Sequence, residues 1–478
     1  MDSLNQSLRL ADRVALPIRI GWGTGGLTDS FMTTLLYSLA LVIFPLYWGL
    51  PAAWVGLALG LPRIVDAVVD PLVGYLSDNT RSRWGRRRPY MLAGILLCAF
   101  LLPAIWAPPF QSPNHVVWWL VIGLLLYAIG YSLYVVPYTA LGYELTEDQD
   151  ERSRVLAWRM YIGLPASLLA AWYLPICLKL GPVFGKVSTA AMALAACAGV
   201  AILVTGTIPL FACRRLHELP LPAQRIAPWT ALTRTLTSVP FVIMSLAYIP
   251  LIVVATGAYS INIYLNFFYV YAGNVHNQQL GARVAGWSST LVGLLAYVSL
   301  PLLTWLSVRT SKKAALLGGM VLVTLGQLTQ WFTITPKVPY LQLGSQFIAG
   351  LGLGGCWLMI ASMIGDICDD DELKCGQRRQ GLFSAVNSLT QKVGIGLGAI
   401  LAGQLISWSG LDPEAARRLH YAPAAAITKL RIWYAFGGSA ILLCASVFIL
   451  FYPITRQRAQ KTRELLDARR GDLPAAGR

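Results

Sequence analysis

The segment Arg63-Ile64-Val65-Asp66-Ala67-Val68-Val69-Asp70-Pro71 places one cation and two carboxylates inside an apolar run long enough to cross a bilayer. Ionised groups at membrane depth cost roughly 2.5–3.5 kcal/mol each on insertion scales, so they persist mainly where they face an ion or substrate pathway. Asp66 and Asp70 are four residues apart and Arg63 is three before Asp66, so a helix puts all three near one face. Two neighbouring carboxylates in a low dielectric disfavour joint ionisation unless a cation offsets them. The pair therefore suits either uptake of a proton or binding of Na⁺ through hard oxygen ligands. The plainer alternative is a structural Arg63–Asp66 ion pair, which leaves Asp70 unexplained.

Other polar residues lie at similar depth. Lys392 stands in Asn387-Ser388-Leu389-Thr390-Gln391-Lys392-Val393-Gly394; facing a central cavity, it would neutralise the carboxylates when their cation leaves, coupling occupancy to conformation. Otherwise it snorkels to the interface. Asp29 and Arg159 suit polyol recognition, because a carboxylate accepts from hydroxyls and a guanidinium donates to them. Trp357 and tyrosines 131, 134 and 138 offer flat faces for a sugar ring, or pack against lipid and core. Asn262 and Asn266, spaced i and i+4, are either cavity-facing amides or interhelical glue.

The elements that must position these groups are membrane helices. The chain has 478 residues, of which 56% are hydrophobic and 13% charged, whereas soluble domains carry about 25% charged residues. Apolar runs bounded by charges or turn residues predict spans near 20–47, 54–78, 90–107, 116–141, 155–176, 187–212, 240–271, 284–307, 314–334, 341–366, 380–408 and 430–453. The fold class expected is therefore an all-α membrane protein of twelve transmembrane helices. With the N-terminus inside, 27 of the 38 Lys and Arg residues fall on the cytoplasmic side and seven on the other, so both termini are predicted cytoplasmic. That asymmetry explains the net charge of +16 without nucleic acid as a partner. Eight dispersed cysteines without a CxxC pair, and four histidines in loops, support neither a metal centre nor a disulfide framework. No Ser/His pair or His/Cys cluster lies at depth, so an enzyme is not expected.

Residues 214–238 interrupt the hydropathy with three prolines and four arginines. They divide the chain into a six-helix bundle at 1–213, a cytoplasmic linker, a second bundle at 239–455 and a basic tail at 456–478. A weak repeat supports this division. Span 4 exits through Glu144-Leu145-Thr146-Glu147-Asp148-Gln149-Asp150-Glu151-Arg152-Ser153-Arg154, and span 10 through Asp366-Ile367-Cys368-Asp369-Asp370-Asp371-Glu372 followed by Lys374. The basic turn Arg81–Arg88 after span 2 has a thinner counterpart in Arg309, Lys312 and Lys313 after span 8. Read functionally, Asp78, Arg83, Arg86, Glu144, Asp366 and Asp370 form cytoplasmic latches that hold the halves closed in one state; read plainly, they are solvated helix ends. Parallel six-span halves are the architecture of transporters that hold substrate near the midplane.

Four blocks carry a resemblance that runs through nearly the whole chain. They are Arg63–Asp70 with the following Pro71–Asp78 and Arg81–Pro89; Pro137–Leu141 with Glu144-Leu145-Thr146 and Asp150-Glu151-Arg152; Gly365–Lys374; and Gln391-Lys392-Val393-Gly394. At these residues the chain resembles the glycoside–pentoside–hexuronide:cation symporters, the melibiose-permease-like family of the major facilitator superfamily. The resemblance implies that Asp66 and Asp70 hold the coupling cation, that Ser132 supplies a hydroxyl ligand, and that Lys392 with Arg63 couples its binding to conformation. It also implies that Tyr131, Arg159, Trp357 and Asp29 line the sugar pocket. The sequence departs from that pattern at Val135, where the melibiose permease has a sugar-binding Asp, at Thr139 in place of a Trp, and at Val69 in place of an amide between the cation-site carboxylates. Each departure removes polar contacts from the expected site.

The function expected is thus an inner-membrane, multi-pass secondary symporter, monomeric in its lipid, importing a glycoside, oligosaccharide or uronide with H⁺ or Na⁺ and needing no other cofactor. The alternatives are a carrier of lysophospholipids or other amphiphiles, to which Val135 lends a more apolar pocket, and, from a different class, a non-transporting membrane receptor.

Overall fold

A computed structural model of the chain describes residues 14–146, 149–213, 237–272, 275–376 and 380–471. Most of the predicted linker lies outside these segments. Every regular element among the described residues is helical. Twelve helices among the described residues are long and apolar enough to cross a membrane. They are α1 (Leu16–Trp48), α2 (Ala52–Asn79), α3 (Arg88–Ile105), α4 (Pro113–Tyr143), α5 (Arg154–Leu180) and α6 (Val187–Ala212), then α7 (Val239–Val270), α8 (Gln278–Arg309), α9 (Lys312–Thr333), α10 (Pro339–Cys375), α11 (Phe383–Trp408) and α12 (Ala424–Leu450).

The helices gather into two compact units, the first holding α1 to α6 together with Asp412–Arg417, the second holding α7 to α12 and the C-terminal helix. In the first unit the main packing pairs are α1 with α5 and α6, α2 with α4, and α3 with α4 and α6. The second unit repeats the set six helices later: α7 with α11 and α12, α8 with α10, and α9 with α10 and α12. The faint sequence repeat is therefore a repeat of packing.

Helix α2 shows how such a unit is built. Leu57, Leu61, Ile64, Val68, Leu72 and Tyr75 form an exposed apolar stripe, while Arg63, Asp66, Val73 and Ser77 are buried on the opposite side. The orientation is inverted relative to a soluble helix because hydrocarbon, not water, covers the outside. Pro62 and Pro71 lie within the helix on either side of the charged stripe. Neither supplies an N–H, so the carbonyls of Ala58 and Ala67 lose their usual helical donors.

Two differences from the sequence reading have physical causes. Helix α10 continues through the acidic run to Cys375, where Gly376 adopts φ +70° and ends it; the run was expected to be the loop after the span. The basic tail, in turn, contains a helix, α13 (Arg456–Gly471). The two facts explain each other. Arg458 pairs with Asp370 at 2.8 Å and Arg463 with Asp366 at 2.8 Å, in antiparallel register, while Lys312 reaches Asp366 at 2.7 Å and Lys374 reaches Asp370 at 2.6 Å. Hydropathy windows detect membrane spans, and α13 is too polar to register in one.

Candidate functional site

Within the first unit the intramembrane polar residues form one connected network. Arg63 Nη1 lies 3.2 Å from Asp66 Oδ2, and both side chains are buried, Asp66 completely. Ser132 Oγ, from α4, donates to Asp70 Oδ1 at 2.7 Å and stands 3.5 Å from Asp66 Oδ1. A hydroxyl thus bridges two carboxylates four residues apart. Both carboxylates and the hydroxyl offer the hard oxygens that Na⁺ uses, and either carboxylate can take a proton. Val69 contributes no amide ligand.

The guanidinium of Arg63 lies over two rings, 4.6 Å from the centroid of Tyr37 and 5.2 Å from that of Tyr131. Such contacts stabilise a desolvated cation by about 2 kcal/mol or more. The hydroxyl of Tyr131 donates to Asp29 Oδ1 at 2.9 Å, and Arg159 Nη2 donates to Asp29 Oδ2 at 2.9 Å. Tyr131 is therefore the joint: its ring touches the Arg63 guanidinium and its hydroxyl touches the pair expected to recognise hydroxyls. Asp29 and Arg159 each keep about a quarter of the side chain exposed, so they remain accessible to a ligand.

The glycines of α1 set this geometry. A Cβ on Gly26 would sit 2.4 Å from the Arg159 carbonyl oxygen, and one on Gly25 would meet the Tyr138 ring at 2.3 Å. Small residues let helices approach closely in membranes, and here the approach brings Asp29, three residues after Gly26, beside Arg159. Gly26→Val is expected to lower the melting temperature of the purified protein by several degrees, since overpacking costs about 1–3 kcal/mol. An unchanged melting temperature would show that the crossing tolerates a larger side chain.

The structure sorts the other sequence expectations. Tyr134 and Tyr138 are fully buried and stack on each other at 5.3 Å, with Tyr138 also stacked on Trp22 at 5.0 Å; they are core, not sugar platforms. Asn262 lies in the second unit, where its Nδ2 donates to Gln342 Oε1 at 3.1 Å and to the Tyr434 hydroxyl at 3.4 Å while its Oδ1 accepts from Asn266 at 3.0 Å. Buried among these partners, it makes interhelical hydrogen bonds. Trp357 is half-buried in that unit, edge-on to Tyr248 at 5.3 Å, and Lys392 is half-buried on α11.

The expected latch residues pair inside their own units. Arg86 reaches Glu144 at 2.7 Å, and Arg87 reaches Asp78 at 3.1 Å and Glu144 at 2.9 Å. Arg87 is 3% exposed and is the centre of this cluster, whereas Arg83 is exposed and takes no part in it among the described residues. The Lys312–Asp366 pair is its counterpart in the second unit. Tyr37 was also missed by sequence reading; it lies two turns after Asp29 on the same helix, and that i, i+8 spacing is the signal that would have found it.

Comparison with known proteins identifies the family. Residues 21–456 match the family described as MFS/sugar transport protein. The chain is 27% identical to an uncharacterized symporter of Synechocystis sp., over 98% of this chain and 99% of that one. It is also 27% identical to the isoprimeverose transporter of Lactiplantibacillus pentosus, over 86% and 82% respectively. Among solved structures, a bacterial homolog of the human lysosomal transporter Spinster superposes with a TM-score of 0.69, covering 94% of this chain and 98% of that one at 13% identity, a likeness of fold alone.

Proposed function

We propose, from the premise that this chain belongs to the MFS/sugar transport protein family, that it is a cation-coupled secondary symporter importing a neutral glycoside or oligosaccharide across the cytoplasmic membrane by alternating access. The observation that carries the reading is the double engagement of Tyr131, which makes the cation-binding carboxylates and the Asp29–Arg159 pair one network.

The charge arithmetic defines the proposed mechanism. Arg63 offsets one of the two carboxylates, so Arg63, Asp66 and Asp70 together carry one net negative charge and take up one monovalent cation, H⁺ or Na⁺. Lys392, in the second unit, is the group proposed to supply the state-dependent counter-charge. Asp29 accepts from substrate hydroxyls and Arg159 donates to them. Because Arg159 already faces Asp29, an added uronate would leave an uncompensated negative charge beside them. A neutral glycoside therefore fits this pair better than a uronide.

Counterflow in proteoliposomes, with a panel of neutral glycosides, uronides and lysophospholipids, tests the reading. A neutral glycoside is expected to exchange at least tenfold faster than the uronides. Preference for a uronide would overturn the charge argument, and exchange of lysolipids without any glycoside would replace a sugar carrier with an amphiphile carrier. For the responding glycoside, Tyr131→Phe is expected to raise KM about tenfold, because a hydrogen bond to a charged group contributes about 1.5–3 kcal/mol. The saturating accumulation ratio should not change, since the ring that supports Arg63 is kept. A wild-type KM in this variant would remove Tyr131 from substrate recognition.

A further inference from the structure

The second unit contains a cavity of about 360 Å³ where the ends of α8, α9, α10 and α12 meet α13. Its lining includes Lys312, Lys313, Arg456 and Arg463 against a single carboxylate, Asp366. That carboxylate is already paired twice, with Lys312 at 2.7 Å and with Arg463 at 2.8 Å. Lys313 and Arg456 have no carboxylate partner among the described residues. Lys313 Nζ donates to the carbonyls of Leu450 and Tyr452, and Arg456 Nη1 to that of Thr310. The cavity thus keeps a net positive charge, and it opens beside the first turn of α9, where the N-terminal end of the helix adds to the positive potential.

A second observation points to a ligand. Tyr452 lines the cavity, is 4% exposed, and its hydroxyl has no hydrogen-bond partner. A buried polar group left unpaired costs about 1–3 kcal/mol, so such a group calls for a partner. Burial, with the Asp366 and Asp370 carboxylates nearby, holds this hydroxyl well above the usual phenol range. It therefore keeps its proton and acts as a donor. Cations and a donor hydroxyl converge on a space that an anion fills.

The surroundings select the kind of anion. Val308 of the lining is exposed, as are Leu450 and Phe451 at the end of α12 and Trp305 one turn before Arg309. An apolar rim at the ends of membrane helices is where acyl chains and headgroups adjoin. We propose that this cavity binds the phosphate of an anionic phospholipid headgroup, held by Lys313, Arg456 and the Tyr452 hydroxyl, with the acyl chains along the exposed rim.

The test compares the full-length protein in nanodiscs of phosphatidylcholine with the same discs containing phosphatidylglycerol, reading melting temperature and the lipid retained in native mass spectra. Phosphatidylglycerol should raise the melting temperature of the wild type and remain bound. Lys313→Gln with Arg456→Gln should weaken retention roughly tenfold or more, as each basic residue near a membrane surface contributes about a fivefold factor. Lys179→Gln, an exposed lysine of the first unit, should leave retention unchanged. Tyr452→Phe separates a site from a packing defect: it should leave the protein at least as stable in phosphatidylcholine while reducing the increment from phosphatidylglycerol several-fold. Equal increments in wild type and Tyr452→Phe, or equal lipid retention in the double variant, would overturn the proposal. Inorganic phosphate reproducing the whole increment would overturn the lipid as its source.

Discussion

Asp66→Asn is expected to abolish accumulation of the glycoside while leaving counterflow exchange. Asparagine keeps the size and one carbonyl acceptor of Asp66 but removes its charge. Arg63 and Asp70 then carry no net charge together, and the site has no electrostatic demand for a further cation. Without cation uptake the gradient cannot drive the cycle, whereas exchange of substrate for substrate needs no net cation movement. The size of the effect follows from the coupling. Moving one elementary charge through 100 mV is worth about 2.3 kcal/mol, so one cation per substrate supports about a fifty-fold accumulation in the wild type. In the variant that ratio should fall to one. Proteoliposomes with an imposed potential and either a proton or a Na⁺ gradient measure it directly. The gradient that drives the wild type identifies the coupling ion. Wild-type accumulation by Asp66→Asn would remove this carboxylate from coupling, and loss of counterflow as well would mean that the substitution damages the carrier rather than its coupling.

The parts legible in the sequence are those set by the bilayer itself. Twelve apolar runs give twelve helices because only helices satisfy every backbone group within one crossing segment, and the predicted spans agree with α1 to α12 to within several residues at most ends. The charges of α2 were equally legible, because their spacing fixes a common face. The i, i+3, i+4 rule, however, reports only neighbours on one helix. That Ser132 of α4 bridges Asp66 and Asp70 was suggested by family resemblance, and that Tyr131 joins Arg63 to Asp29 depends on how α1, α2, α4 and α5 pack. No periodicity within one helix encodes such a contact. Arg87 illustrates the same limit: three consecutive arginines look equivalent in sequence, and the fold buries one of them. Asn262 shows the converse, a polar residue whose environment, not its type, assigns it to interhelical packing.

The acidic clusters show why pairing patterns need a structure. Asp78 and Glu144 pair with Arg86 and Arg87 inside the first unit, and Asp366 and Asp370 with Lys312, Arg458 and Arg463 inside the second. Corresponding helix ends in the two units thus carry corresponding ion pairs. In the second unit α13 adds two arginines that have no equivalent in the described part of the first. Exposed pairs contribute little to stability, but Asp366 and Asp370 are buried, so they fix α13 in place more firmly than surface bridges would.

Arg63→Met distinguishes a coupling network from a structural ion pair. Removing one partner of a buried pair costs about 3–5 kcal/mol, because the other charge is left uncompensated, and here Asp66 would face Asp70 with no cation between them and the rings of Tyr37 and Tyr131 would lose theirs. The single variant should therefore melt well below the wild type and fail to transport. Adding Asp66→Asn removes the stranded charge, and the double variant Arg63→Met/Asp66→Asn should recover most of the lost stability, since replacing both partners of a buried pair is often nearly neutral. Asp70 alone then carries the single negative charge, but the accumulation ratio of the double variant should nevertheless stay at one, because the proposed cation has lost the Asp66 carboxylate from its ligands. If the pair served only to hold α2 in place, restored stability would bring restored accumulation. Melting temperature and accumulation ratio measured on the same two variants separate these outcomes, and recovery of both together would reduce Arg63 and Asp66 to scaffolding.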